Sequence, residues 1–187
     1  MIKKEIWDKR HKDSTGRLHR PTEFCKFVYF NFLKDKKGKL LDLACGKGAD
    51  SIFFHNKEFI VTGMDYSNEA ILQFNETQKR YDIFLTALVK DMTEPLPFEA
   101  GVFDVVYSRL GINYFDDKTT KNIISEVKRI LRSGLVISVF SQMNLGGEVD
   151  SMEDVKLILS KEELYKIPTS TYKDITQELK EKNENCP

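Results

Sequence analysis

Acidic residues and glycines interrupt a short apolar run in the segment 40–54, and their spacing points to cofactor chemistry. The run LLDL at 40–43 is typical of a parallel strand that is covered on both faces. Asp42 lies inside it, where a lone carboxylate is costly unless a positively polarised group needs it. Gly46 and Gly48 follow, and they let the backbone turn sharply and approach a ligand. A carboxylate at a strand end beside a glycine turn suits a cofactor that carries both an amine and a nucleoside.

A second acidic residue narrows the class of cofactor. Dinucleotide-binding turns have the form G-x-G-x-x-G, whereas the place of the third glycine is held here by Ser51. Asp65 ends another apolar run about twenty residues after the turn. A carboxylate at that place can accept hydrogen bonds from ribose hydroxyls, and it would repel a 2′-phosphate. This pattern therefore argues against NADP.

Four segments in the same order resemble the class I S-adenosylmethionine-dependent methyltransferases, especially small single-domain bacterial members such as the tellurite-resistance type. They are DLACGKG (42–48), GMDYSNEAI (63–71), KDMTEPLPFEAGVFDVVYSRLGINYF (90–115) and EVKRILRSGLVISVF (126–140). The resemblance extends from about Trp7 to about Leu164. It implies an enzyme that uses S-adenosyl-L-methionine, releases S-adenosyl-L-homocysteine and transfers a methyl group to a small-molecule acceptor by in-line displacement.

The resemblance also implies which residues contact the cofactor, and it places them at the carboxyl ends of the first strands. Asp42 would hold the methionine amine, Asp65 the ribose hydroxyls and Asp91 the adenine amino group. The full implied set is Asp42, Ala44, Gly46, Gly48, Asp65, Tyr66, Asp91, Met92 and Ser108. Structural alternatives stay open, since Asp65 could cap its own turn and Asp42 could hold the amides of the glycine turn. Asp91 could lie in a loop that is ordered by prolines alone.

The acceptor side is less defined, and no catalytic residue is predicted. Because the sulfonium already activates the methyl group, the chain must mainly position the acceptor, and a base is needed only for a protonated acceptor. His19 lies in GRLHRPTEF (16–24), which resembles the lid-like segment of small-molecule members, and a surface or hinge histidine is favoured over a base at this position. The acceptor-side candidates are Trp7, Arg10, His19, Arg20, Arg109, Asn113, Tyr114, Ser141 and Gln142.

Hydrophobic periodicity predicts the elements that must position these residues. Strands are expected at 40–43, 59–64, 83–89, 102–107 and 135–140. Helices are expected at 2–12 and 123–131, and further helices should begin near residue 21, directly after the glycine turn, and at residue 68, where Ser67 is the N-cap. The alternation predicts an α/β fold, a Rossmann-like doubly wound and mostly parallel sheet of five to seven strands with helices on both faces. The expected organisation is a helical lid segment at 1–36, an S-adenosylmethionine-binding domain at 37–176 and a charged tail at 177–187.

The end of the chain departs from the family pattern. Members usually finish with an antiparallel hairpin of two strands, whereas only 172–176 looks strand-like after the fifth strand, preceded by a short predicted helix at 160–165 that Ser160 would cap. We therefore expect either a six-stranded sheet or a homodimer through the C-terminal sheet edge. The turn Arg132-Ser133-Gly134 before the fifth strand is also one glycine short of the family's usual form.

Composition excludes several classes of partner. Lys plus Arg and Asp plus Glu each number 29, so nothing in the overall charge favours nucleic acid. No apolar run approaches the roughly 18 residues of a membrane helix, and no signal peptide is visible, which makes the cytoplasm the expected location. The scattered cysteines predict neither a disulfide frame nor a metal site. Two alternative functions stay open: a non-catalytic or degenerate S-adenosylmethionine-binding domain, and a nucleic-acid or protein methyltransferase.

Overall fold

The computed structural model describes residues 3–14, 20–139 and 158–160. The elements in chain order are helix α1 (Lys4–Asp13), helix α2 (Glu23–Val28) with a π-helical turn (Tyr29–Leu33), strand β1 (Gly38–Leu43), helix α3 (Ala49–His55), strand β2 (Phe59–Asp65), helix α4 (Asn68–Tyr81), strand β3 (Thr86–Val89), strand β4 (Phe103–Arg109), a 3₁₀ turn (Ile112–Tyr114), helix α5 (Asp117–Ile130), strand β5 (Leu131–Val139) and strand β6 (Ile158–Ser160).

These strands form one six-stranded sheet in the order β3-β2-β1-β4-β5-β6. All neighbours are parallel except β6, which runs antiparallel to β5. The predicted doubly wound, mostly parallel sheet is thereby confirmed. The chain reverses its direction of travel across the sheet between β1 and β4, and open α/β sheets bind ligands in the crevice at that point, beyond the carboxyl ends of the strands.

Side chains that alternate along the strands build a core on each face of the sheet, as both-face coverage of a parallel sheet requires. One core joins β1 and β2 to the apolar stripe of α5, and its buried members include Leu41, Leu43, Met64, Ile123, Val127 and Ile130. The other lies under α2 and α3, and its buried members include Cys25, Val28, Leu33, Leu40, Phe54 and Tyr107. The central strands are therefore rigid supports for whatever follows their ends.

Two helices begin at an N-cap residue whose side chain accepts a hydrogen bond from the first turn. Ser67 caps α4 by accepting a hydrogen bond from the Ala70 N–H at 3.1 Å, as expected from its position. Thr22 caps α2 in the same way through the Cys25 N–H. By contrast, α1 has no side-chain cap and buries none of its residues. Within the described ranges, no helix has the length and apolar character needed to cross a membrane.

The connection into β5 differs from the predicted turn. Helix α5 ends at Ile130 and the next residue, Leu131, is already extended (φ −76°, ψ 135°) and begins the strand. The predicted turn 132–134 instead lies within β5, where the register slips between the pairs Phe103–Leu131 and Val105–Leu135. With one glycine fewer, the chain lacks the left-handed residue that commonly closes a helix, and it leaves the helix directly as a bulged strand.

The remaining element boundaries shift by smaller amounts. Strand β3 begins at Thr86 rather than at residue 83. The sixth described strand, β6, ends at Ser160 and lies earlier in the chain than the predicted strand 172–176. Residues 161–165, the strand 172–176, the tail 177–187 and the candidates His19, Ser141 and Gln142 lie outside the described residues.

Candidate active site

The turn after β1 closes the crevice at the centre of the sheet. Both the Ala44 and the Cys45 N–H groups donate to the Met64 carbonyl oxygen, at 2.8 and 3.1 Å, which ties this turn to the end of β2. Ala44 has a left-handed backbone (φ 67°), a conformation that costs a non-glycine residue roughly 1–2 kcal/mol. The sequence predicts such a sharp turn only at the glycines, and no feature of Ala44 itself signals the strain.

The space around the two glycines of the turn differs, although both have a left-handed backbone. A Cβ at Gly48 (φ 79°) would lie 2.3 Å from the Phe74 ring of α4, so close packing excludes any side chain there. A Cβ at Gly46 (φ 54°) would meet only the Cε1 atom of His11, at 3.6 Å. The turn is thus packed against the fold at Gly48 and faces the α1 helix at Gly46.

Asp65 joins the end of β2 to the turn after β1. Its Oδ2 atom accepts from the Gly46 N–H and its Oδ1 atom from the Ser67 N–H, each at 2.8 Å. Burial raises the pKa of this carboxyl, and the hydrogen bonds and nearby His11 oppose the rise. The carboxylate therefore does cap its own turns, and because each oxygen can accept more than one hydrogen bond, this leaves capacity for ribose hydroxyls.

Asp42 lies deeper than the other predicted cofactor residues. Its side chain accepts a 2.5 Å hydrogen bond from the Ser51 hydroxyl of α3, and the residue is only 2% exposed. Burial, and next the charge of Asp50, raise the pKa of Asp42 to about 8. A carboxyl group with that pKa is largely protonated at neutral pH and would ionise when a cation is brought beside it.

Asp50 is a functional candidate that the sequence analysis missed. This buried residue in the first turn of α3 accepts from the Thr22 N–H at 2.8 Å, the Thr22 hydroxyl at 2.9 Å and the Tyr107 hydroxyl at 2.7 Å. The Arg109 Nε atom lies 3.5 Å from the same carboxylate. An acid in a first helical turn is a weak signal by itself. Through these hydrogen bonds, Asp50 links the start of α2 to β4.

The predicted adenine-side residues lie at the ends of β2 and β3. Asp91 accepts from the N–H and the hydroxyl of Thr93, at 2.8 and 2.7 Å, through its Oδ1 atom. Burial and then the charge of Asp91 raise the pKa of Tyr66. Met92 is buried in the core that includes α5. Asp91 and Met92 thus follow β3, and Tyr66 follows β2, the strand that pairs with β3.

Ser108, near the end of β4, has an unusual buried hydroxyl. The residue is 1% exposed, and its Oγ atom has no hydrogen-bond partner among the described residues. A Cβ at Gly111 would lie 2.9 Å from this oxygen and 2.5 Å from the Ala44 Cβ, so Ser108 lies close to the left-handed turn. Buried polar groups are nearly always satisfied, and an orphan beside a candidate ligand site suggests a partner that binds there.

Helix α1 lies across this end of the sheet and is held by polar groups. Asp8 accepts from the Ser67 hydroxyl at 2.6 Å and from the Glu69 N–H at 3.2 Å, both at the start of α4. The Lys47 ammonium donates to the Ser14 carbonyl at 2.9 Å and to its hydroxyl at 2.8 Å. These contacts join α1 to the turn after β1 and to α4, in the position of a cover.

Several acceptor-side candidates meet at one end of α1. The Trp7 ring lies edge-on to the Tyr114 ring with 5.0 Å between centroids, and the Arg10 guanidinium lies 5.5 Å from the Trp7 centroid. Burial raises the pKa of Tyr114, while Arg10 and Arg109 both oppose the rise. Two other candidates do not join this group by any described side-chain contact: Arg20 is exposed before α2, and Asn113 is described only as backbone of the 3₁₀ turn.

The donor set fits a nucleoside cofactor with a cationic amine. Carboxylates lie at the ends of β1, β2 and β3, and an unpartnered hydroxyl lies near the end of β4. Burial raises the pKa of the Cys45 thiol, and a Cβ at Gly63 would lie 3.0 Å from its sulfur, so Cys45 is a packing residue. In the described part of the chain, no cluster of three or more His, Cys, Asp or Glu residues is arranged to hold a metal ion.

Comparison with known proteins decides the family. The model of a family described as "Methyltransferase domain" matches residues 40–134, just over half of the chain, from within β1 to the first residues of β5. The chain belongs to the class I S-adenosylmethionine-dependent methyltransferases. The matched part of this methyltransferase domain contains the turn after β1 together with Asp65, Asp91 and Ser108.

Individual relatives agree with this assignment. An uncharacterized methyltransferase of Synechocystis sp. is 30% identical over 103 residues, which cover 54% of this chain and 45% of that protein. A malonyl-[acyl-carrier protein] O-methyltransferase of Hamiltonella defensa is 30% identical over 149 residues, covering 75% of this chain and 55% of that protein. The chain therefore spans about half the length of these curated relatives.

A solved structure shares the fold. The geranyl diphosphate C-methyltransferase of Streptomyces coelicolor, in a complex with S-adenosyl-L-homocysteine, superposes with a TM-score of 0.60 over 73% of this chain and 63% of that chain. The sequences are 18% identical, so this likeness concerns the fold of the methyltransferase domain.

Proposed function

We propose that this methyltransferase domain binds S-adenosylmethionine and transfers its methyl group to a small-molecule acceptor by in-line displacement. The observation that carries the proposal is the hydrogen bond from the Gly46 N–H to the Asp65 carboxylate, which joins the glycine turn and the ribose-type acid into one unit. The turn of this unit follows β1, one of the two strands between which the strand order reverses, and such reversals are the usual place for a ligand in these sheets.

Each predicted cofactor residue has a chemical role in this proposal. Asp65 would accept from the ribose hydroxyls with lone pairs that the turn amides do not use. Asp91, held by Thr93, would accept from the adenine amino group, and the buried Met92 would form the apolar floor beside it. The turn from Ala44 to Gly48 would hold the methionine end, with Ser108 closing it and Asp42 supplying negative charge beneath it.

The protein's contribution to the reaction is positioning and exclusion of water. The bound cofactor supplies a methyl group on a sulfonium, which is already a strong electrophile. Helix α1 would cover the site, with the Trp7 and Tyr114 rings on the acceptor side. An acceptor held within about 3 Å of the methyl group in this covered space needs no further activation if it is unprotonated at neutral pH.

Calorimetric titration with S-adenosylhomocysteine tests the cofactor assignment. Asp91→Asn removes an anionic acceptor from a partly exposed position, and we expect it to weaken binding at least about ten-fold, equivalent to about 1.4 kcal/mol. Asp82→Asn is the matched control, because Asp82 is exposed and its left-handed backbone suits Asn equally well. An absence of binding by the unmodified chain at millimolar ligand would overturn the proposal. Binding without methyl transfer to any member of a metabolite panel would favour a binding domain instead.

The homodimer expected from the sequence stays a prediction. Strand β6 covers β5, so a dimer through this side of the sheet would pair along β6 or beyond it. Sedimentation velocity at several concentrations measures this directly, and a single monomeric species throughout would contradict it. The cytoplasmic location likewise stays a prediction.

A further inference from the structure

Helix α1 contacts both of the residues whose backbone amides hold Asp65. The Asp65 carboxylate accepts from the Gly46 N–H and from the Ser67 N–H, each at 2.8 Å. On the Ser67 side, Asp8 of α1 accepts from the Ser67 hydroxyl at 2.6 Å. On the Gly46 side, a Cβ at this glycine would lie 3.6 Å from the His11 Cε1 atom, also of α1. The helix therefore spans the two points between which the ribose-type acid is held.

The His11 ring lies against Gly46 without using its nitrogens. The backbone carbonyl of His11 accepts from the Gln73 side chain at 3.1 Å, which fixes this turn of α1 to α4. Among the described residues, neither ring nitrogen of His11 forms a hydrogen bond. Burial lowers the pKa of this imidazole and the charge of Asp65 opposes the fall, so the neutral ring predominates at neutral pH. A neutral imidazole offers one N–H donor and one acceptor nitrogen.

We propose that His11 is a further cofactor-binding residue, whose imidazole forms a hydrogen bond with one of the ribose hydroxyls that also donate to Asp65. This inference rests on the proposed function and adds a residue of the covering helix to the same site. A hydroxyl can donate to the Asp65 carboxylate and accept from an imidazole N–H at the same time. Because α1 buries no residue in the core, this contact also fastens the helix to the sheet when the cofactor binds.

Ribose analogues test the contact itself. The probes are S-adenosylhomocysteine and its 2′-deoxy and 3′-deoxy forms, each titrated calorimetrically. In the unmodified chain we expect each missing hydroxyl to weaken binding. His11→Phe keeps a flat ring beside Gly46 but removes both ring nitrogens. It should weaken binding of S-adenosylhomocysteine by about two- to ten-fold, the worth of one hydrogen bond, and should reduce the penalty for one of the two deoxy forms by the same factor.

Two further variants and the Trp7 fluorescence assign the effect. His11→Gln retains a side chain that donates and accepts, so it should bind S-adenosylhomocysteine more tightly than His11→Phe. His55→Phe is the matched control and should leave all three titrations unchanged, because His55 ends α3 and the chain there leads into the start of β2, away from Asp65. Trp7, the single tryptophan, has its ring centroid 6.3 Å from that of His11. Its emission should therefore change saturably with S-adenosylhomocysteine.

The outcomes separate this inference from the proposed function. Failure of the unmodified chain to bind S-adenosylhomocysteine contradicts the proposed function. If that ligand binds, but His11→Phe binds it equally well or keeps both deoxy penalties unchanged, the His11 contact is wrong and the cofactor assignment stands. Equal weakening by His55→Phe would also overturn the contact. Amide hydrogen exchange of each variant without ligand shows whether α1 is still docked, and a loss of affinity that comes with undocking of the helix counts against a direct contact.

Discussion

Two buried aspartates lie next to the turn after β1, Asp50 in the helix that follows it and Asp65 through a hydrogen bond to it, and their surroundings differ. Asp50 accepts hydrogen bonds from Thr22 and Tyr107, which belong to the start of α2 and to β4. Asp65 accepts from the turn itself and from Ser67, and α1 covers that region. Both carboxylates satisfy backbone amides, but only the Asp50 cluster is enclosed by elements of the hydrophobic core.

The helices next to these two aspartates, α2 and α1, are attached to the domain by different interactions. Helix α2 and its π-helical turn contribute the fully buried Cys25, Val28 and Leu33, and burying a Val or Leu side chain is worth about 1.5–3 kcal/mol. Helix α1 buries no residue and is held by hydrogen bonds worth about 0.5–1.5 kcal/mol each. We infer that the Asp50 cluster anchors the domain, whereas α1 can open and close over the site without unfolding it.

The largest expected effect follows from removing the anchor. Asp50→Ala leaves the Thr22 N–H, the Tyr107 hydroxyl and Arg109 without their common acceptor. We expect it to lower the free energy of unfolding by about 2–4 kcal/mol, because a buried donor left without its acceptor costs about 1–3 kcal/mol and the partly exposed Arg109 adds little. Urea denaturation measures this, with Asp35→Ala as a control at an exposed position that should change it by about 0.5 kcal/mol at most. Equal effects of the two variants would refute the anchoring role.

The second effect is a pH dependence carried by Asp42. The folded chain holds this proton more tightly than the unfolded chain, since burial raises the pKa from 3.8 to about 8. The stabilisation that this proton gives is therefore full below about pH 4 and declines as the pH rises toward about 8. Asp42→Asn should remove that decline. The free energy of unfolding of the variant, relative to that of the unmodified chain, should therefore rise by about 1–3 kcal/mol between mildly acidic and mildly alkaline pH.

Denaturation at a series of pH values tests this role of Asp42. Ser51 is left unchanged in both proteins, because its hydroxyl can still donate to the Asn oxygen. Parallel stability curves for the two proteins would show that Asp42 is ionised in the fold. The same measurement on Asp82→Asn controls for a general effect of losing one carboxylate at an exposed position.

The strands and the acidic residues at their ends could be predicted from the sequence, because adjacent residues carry the patterns that indicate them. The apolar run that ends at Asp65, and the glycines required at φ 54° and 79°, are properties of adjacent residues. The Asp50 cluster was missed because its donors come from positions 22 and 107, and no periodicity relates them to position 50. The turn at 132–134 was misplaced for a related reason, since pairing with β4 decides how soon the chain becomes extended after α5.

The acceptor side shows the same limit more strongly. Trp7, Arg10, Arg109 and Tyr114 were candidates for that side, but nothing in the sequence says that Arg10 lies over Trp7 or that the Trp7 ring meets the Tyr114 ring. Those relations depend on where α1 docks. Since α1 has no apolar face buried in the core, hydrophobic periodicity carries no information about its docking.

A smaller effect tests the attachment of α1. Asp8→Ala removes the acceptor of the Ser67 hydroxyl and of the Glu69 N–H, and losing such a capping acceptor typically costs about 1 kcal/mol. We expect faster amide hydrogen exchange in α1 and a red-shifted Trp7 emission, with little change in the strands. Asp13→Ala is the control, because Asp13 is an exposed acid on the same helix. Loss of protection throughout the sheet would show that α1 is part of the core rather than a cover.

The smallest effect concerns the last turn of α1, where the Ser14 hydroxyl accepts from Lys47 and donates to the Arg10 carbonyl. Ser14→Ala keeps the Ser14 carbonyl as an acceptor for Lys47, so we expect a loss of only a few tenths of a kcal/mol, within the range of an exposed or partly buried hydrogen bond. Hydrogen exchange of the last α1 amides should speed up by less than about three-fold, while those near Asp8 stay protected. If Ser14→Ala instead released the whole helix as Asp8→Ala does, the contacts at the two ends of α1 would act as one cooperative unit, and the cover would open as a rigid body rather than fray from its end.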